Sequence, residues 1–108
     1  MPNTLPTLCH HVFFWLKNAT SVEDKKTLIA GIKTLANIEG IRAMHIGEPA
    51  STEIREVIDN SYSVTELLFF DSVETERNYQ SHPIHKAFVD NCAHLWSNVL
   101  VYDSIEIK

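Results

Sequence analysis

The chain has 108 residues, nine Lys and Arg against fourteen Asp and Glu, and a formal charge of −5. Its 44% hydrophobic and 21% charged content is that of a folded globular protein, which excludes disordered and collagen-like classes, and the length suits a single domain. No run of lysines and arginines supplies a phosphate-tracking patch, so nucleic acid is not an expected partner.

Residues 1–8, with Pro2 and Pro6, read as a leader, and residues 9–108 as one domain. The opening MPNTLPTLCHH lacks the basic n-region of a signal peptide, and no apolar stretch is long enough to span a membrane. Cys9 and Cys92 are isolated thiols with no CxxC pair, which suits a reducing, cytoplasmic setting.

CHHVFFWLK (9–17) is dense in aromatic and β-branched residues and predicts a buried strand. Alternation sends His10 and His11 to opposite faces of it. Thr20-Ser-Val-Glu23 fits a capping box, followed by Leu28, Ile29, Ile32, Leu35 and Ala36 at helical spacing. Gly40 is a terminator, and IRAMHIG (41–47) makes a second strand. Residues 48–61 are polar and non-periodic, a long connection of the kind used for binding or partner contact. YSVTELLFF (62–70) is a third strand. Asp71 or Ser72 can cap a short helix with Glu74 and Glu76 in its first turn. Pro83 suits the first position of another helix, with Ile84, Phe88, Cys92, Leu95, Trp96 and Val99 as its apolar face. VLVYDSIEI (99–107) closes the chain as the last strand.

The order β-α-β-β-α-β, with the second helical stretch broken at His82-Pro83, predicts an α+β, ferredoxin-like fold. Its four-stranded antiparallel sheet carries helices on one face. Val12 to Leu16 and Leu67 to Phe70 are apolar at every position, yet two helices cover only one face. An open apolar face of that size calls for a cover. A second copy packed sheet to sheet is the simplest one, so a homodimer is expected.

Of the six histidines, His82 and His85 fall at the helix start, as N-cap and third helical residue. Helix N–H groups nearby disfavour positive charge and help keep His85 neutral, the form a general base requires. The plainer reading is that His82 caps and His85 packs. A zinc site needs at least three protein ligands; no established spacing supplies them, so neither metal nor cofactor is expected. Glu66 is a carboxylate in an apolar strand: buried, it is an acid–base candidate with a raised pKa; at the sheet rim it is an ordinary surface group. With three glycines in the chain, no Gly-rich phosphate loop can be built.

HHVFFWLKN, and SYSVTELLFFDSVETERNYQSHPIHKAFVDN farther on, resemble the stress-responsive dimeric α/β-barrel (Dabb) family over about residues 9–105. The resemblance implies a ferredoxin-like protomer that dimerises into an α+β barrel. One enzymatic branch of that family, the plant olivetolic acid cyclase, closes a linear polyketide by aldol condensation. Matched by motif, His85 falls on the cyclase's catalytic histidine, Tyr79 on a pocket tyrosine and His10 on the strand-opening histidine. Two positions depart from that pattern: the third-strand histidine is Val64 here, and the first-helix tyrosine is Ile32. The reading is a homodimer whose pocket binds a small, partly apolar organic molecule, with His85, Tyr79 and His10 as its polar groups. His85 and Tyr79 are the candidates for acid–base chemistry on a carbonyl compound. The rival reading is a non-catalytic dimeric scaffold or stress-associated interaction protein.

Overall fold

The computed structural model describes residues 5–108; residues 1–4 of the expected leader lie outside them. Strand β1 (Leu8–Leu16) starts one residue inside that leader and is followed by α1 (Val22–Thr34), β2 (Ala43–Gly47), β3 (Val64–Phe70), α2 (Val73–Ser81), α3 (Pro83–Cys92) and β4 (Trp96–Ile105). The four strands form one antiparallel sheet in the order β2-β3-β1-β4. This is the expected ferredoxin-like arrangement.

Alternation along β1 sorts the sheet into two faces. Leu8, His10, Val12, Phe14 and Leu16 are buried, while Cys9, His11, Phe13 and Trp15 are half-buried. On the first face, Val64, Leu68 and Phe70 of β3 pack with Leu28 and Ile32 of α1 and with Phe88 and Cys92 of α3 to make the core. Filling such positions stabilises by about 1.5–3 kcal/mol per large apolar side chain. The second face shows Phe13, Leu67, Phe69, Leu100 and Tyr102, with no helix of the described residues over it.

Several local expectations shift when the backbone is seen. The cap of α1 is Ser21, whose hydroxyl accepts from the Asp24 N–H at 3.1 Å; Thr20 instead donates to the Asn18 side chain. The apolar stripe of α1 continues through a 3-10 turn at Leu35–Asn37 to Ile38, and Ala36 is exposed. Ser72, rather than Asp71, caps α2 through Thr75. Helix α3 ends at Cys92, so Leu95 lies in a 3-10 turn, and Trp96 and Val99 belong to β4. The strand, not the helix, claims them because the Lys17 N–H reaches the Leu95 carbonyl and starts the β1–β4 pairing. Gly40 has φ of +99°, and a Cβ there would lie 2.4 Å from Thr75 Cγ2. It turns the chain beyond the helix.

Candidate active site

His82 is the hinge of the site. It ends α2 with its N–H on the Tyr79 carbonyl, and caps α3 with Nδ1 accepting from the Ile84 N–H at 3.0 Å. Pro83 has no N–H to satisfy at the first helical position and pre-sets its φ. The break turns α3 so that His85, one residue past Ile84, faces Tyr79, with ring centroids 4.7 Å apart and edge to face.

From the sheet side, β1 brings up His10. Its ring lies 5.7 Å from that of Tyr79, and Nδ1 is 2.5 Å from Asp103 Oδ1 on the neighbouring strand β4. Glu76 Oε2, from α2, stands 3.8 Å from the same nitrogen. The structure therefore brings together all three residues singled out from the sequence: His10, Tyr79 and His85. It adds Asp103, which orients His10 from 93 positions away in the chain. No local pattern announces that contact; only the β1–β4 register, which sets His10 opposite Asp103, creates it. Among the described residues, His10, Glu76 and Asp103 are also the one group whose donor atoms could meet at a cation, lying within 4.8 Å of one another. In this arrangement His10 Nδ1 is hydrogen-bonded directly to Asp103 Oδ1.

Between this group and the sheet is a cavity of about 180 Å³, with His10, Glu66, Gln80 and His85 among its lining and Val12, Phe14, Phe88, Trp96, Val99 and Val101 as apolar wall. A hollow of about 190 Å³ lies on the opposite, open face among Phe13, Trp15, Tyr62, Leu100, Tyr102 and Asp59. Size does not separate the two; chemistry does. Only the first gathers histidines and a buried carboxyl.

Glu66 is on the helix-covered face and 2% exposed, so it is not at the rim. Burial pushes its carboxyl up to about 8, which keeps it protonated at neutral pH. Glu66 Oε2 and the Tyr79 hydroxyl are the two buried side-chain polar atoms with no hydrogen-bond partner among the described residues. Burial, with the Glu66 and Glu76 carboxyls beside it, raises the Tyr79 phenol, which stays an un-ionised donor. His85 is moved the other way. Burial and the neighbouring His10 lower it below the ordinary histidine value, against weaker opposition from Glu76 and the Gln80 backbone. At pH 7 the cavity thus holds a neutral base, His85, and a protonated carboxyl, Glu66, while Tyr79 stands behind His85 and is not part of the lining.

On the open face, His11 and His45 flank Leu67 across the strands. Burial, then His45 and His10, lowers the His11 pKa. His94 is exposed.

A four-stranded antiparallel sheet with helices on one face and a polar-ended cavity beneath them defines a ferredoxin-like α+β protomer. The model of the stress responsive A/B barrel domain matches residues 8–106, and the chain belongs to that family. Among solved structures it is similar to At3g17210 of Arabidopsis thaliana, at 28% identity and a TM-score of 0.78, over 94% of this chain and 96% of that one. It is also similar to a Dabb family protein of Mesorhizobium loti with a ferredoxin-like fold, at 28% identity and a TM-score of 0.76, over 94% and 98%. The Passiflora edulis hydroxynitrile lyase shares the fold at 19% identity, with a TM-score of 0.78 over 95% of each chain. No curated protein sequence matches. Among the described residues no helix is long and apolar enough to cross a membrane.

Proposed function

We propose that this protein is a cytoplasmic homodimer, formed by packing its open sheet faces together. In this reading each protomer binds a small, partly apolar organic molecule in the cavity between sheet and helices, and His85 acts as acid or base on a carbonyl compound. The observation that carries the reading is the cavity itself, where a neutral imidazole, a buried carboxyl and a largely apolar wall converge. Tyr79 meets the His85 ring edge-on, and His10, hydrogen-bonded to Asp103, meets the same Tyr79 ring. Such a base can take a proton from carbon beside a carbonyl group.

The dimer is supported by the apolar second face, where Phe13, Leu67, Phe69, Leu100 and Tyr102 have no helix over them. Ferredoxin-like neighbours from Bacteroides fragilis and Thermobifida fusca are described as dimeric. The Passiflora edulis enzyme supports small-molecule chemistry on this fold.

The test is a thermal-shift screen of wild type and His85→Ala, side by side, against small polyketide-like ketones, phenolic acids and aromatic carboxylates, with light scattering to report dimer mass. Ligand at a hundredfold its dissociation constant stabilises by about 2.7 kcal/mol. Compounds that raise the melting temperature of wild type but not of the variant support the pocket reading. Identical melting of the two proteins across the panel favours a non-catalytic dimeric scaffold.

A further inference from the structure

Glu66 is the feature that the His85 chemistry leaves unused. A carboxyl almost wholly removed from solvent, with Oε2 unpartnered, lines the cavity. Orphaned buried polar atoms are rare and each costs free energy that something must justify. Its strand neighbours on the same face, Val64 and Leu68, are wholly buried core, so an apolar residue would fit the position at no polar cost. Building on the reading above, we infer that Glu66 is a second catalytic residue, the acid partner of His85, and that the ligand it receives is a neutral, enolisable ketone or aldehyde.

The geometry argues for the pairing. Glu66 comes from the sheet and His85 from α3, and both line one cavity, so a ligand between them meets a donor on one side and an acceptor on the other. With Glu66 protonated and His85 neutral at pH 7, two groups of inverted strength line the same cavity, as acid–base sites require. Of the other titratable groups, His10 also lines the cavity, and Asp103 from the sheet and Glu76 and Tyr79 from α2 stand against the His10 ring. The carboxyls of Asp103 and Glu76 beside His10 disfavour an anionic ligand at that end. The volume of about 180 Å³ is below the roughly 300 Å³ at which drug-sized pockets begin, so the ligand is small. The step balances without an oxidant or reductant. The α-carbon C–H bond breaks as its proton passes to His85, and its electron pair forms the C=C bond. The carbonyl π pair moves to oxygen, which takes the Glu66 proton. The products are an enol, a carboxylate and an imidazolium, and the reverse transfers restore the site.

The experiment uses acetophenone as the probe and follows exchange of its methyl protons for deuterium by NMR in heavy water. Wild type, Glu66→Gln and His85→Ala are compared from about pH 6 to about pH 9. The expected result is wild-type exchange that falls as pH rises through about 8, a loss of tenfold or more in Glu66→Gln with that fall abolished, and none above buffer in His85→Ala. Benzoate, the anionic counterpart, should not inhibit. A ligand-independent readout accompanies it: the infrared difference between wild type and Glu66→Gln at pH 7 should show a protonated carboxyl band. Glu66→Gln exchanging at the wild-type rate with an unchanged pH profile, while His85→Ala is inactive, overturns the role of Glu66 and leaves that of His85 standing. Equal exchange in His85→Ala and wild type overturns both. An ionised carboxylate band, no exchange with wild type, or inhibition by benzoate overturns the acid or the ligand class.

Discussion

Replacing Glu66 with Gln should make the protein more stable, and by an amount that depends on pH. The Gln side chain has nearly the same shape but cannot ionise, so the comparison isolates one proton. In the folded chain the Glu66 carboxyl is pushed up to about 8 from an ordinary value of 4.5. The folded state therefore binds this proton more tightly than the unfolded chain does. The stabilisation it gives is full below about pH 4.5, declines as pH rises, and is gone above about 8. That gap of about 3.5 pH units, at about 1.4 kcal/mol per unit, amounts to about 5 kcal/mol. A whole domain has only about 5–15 kcal/mol in hand, so the effect is large. Urea denaturation of both proteins at pH 5, 7 and 9, at one fixed protomer concentration because a dimer's stability depends on it, should show the variant gaining on wild type at each step. A stability difference that stays constant from pH 5 to pH 9 would refute the argument, since it would mean that the carboxyl titrates alike in the folded and unfolded states.

Three other outcomes are expected. His82→Ala removes the side-chain cap of α3 and should lower stability by about 1 kcal/mol, measured by urea denaturation. Asp103→Ala leaves the buried His10 ring without its hydrogen-bond partner, a loss of about 1–3 kcal/mol, which Asp103→Asn should partly restore. Phe13→Asp puts a charge at the centre of the open face, between Thr65 and Leu100. Light scattering should then give a monomer mass where wild type gives a dimer.

Much of this architecture is readable from spacing alone. The strand-helix alternation, the break at His82-Pro83 and the two-sided apolar strands follow from periodicities of two and 3.6 and from proline's missing N–H. The onset of β4 is not readable that way, because Leu95, Trp96 and Val99 continue the helical spacing of α3. Only the backbone hydrogen bond from Lys17 to Leu95 shows where the strand begins. Thr20 and Ser21 are adjacent hydroxyls, and which one caps is decided by the φ and ψ of the entering chain. His10, Tyr79 and His85 stand out in the sequence. Glu66 is ambiguous there, because its role depends on which face of β3 it takes. Asp103 is silent, since its partner is at the other end of the chain and only sheet register joins them.

Strand β1 carries one further consequence. His10 belongs to the cavity and His11 to the face opposite it, although they are consecutive residues. Their two imidazole signals are thus a matched pair of reporters on Cα atoms about 3.8 Å apart, one answering to what enters the cavity and the other to what lies against the sheet. A titration that moves the His10 signal alone records a ligand. One that moves His11 alone records assembly, and one that moves both shows the two events communicating through a single peptide unit.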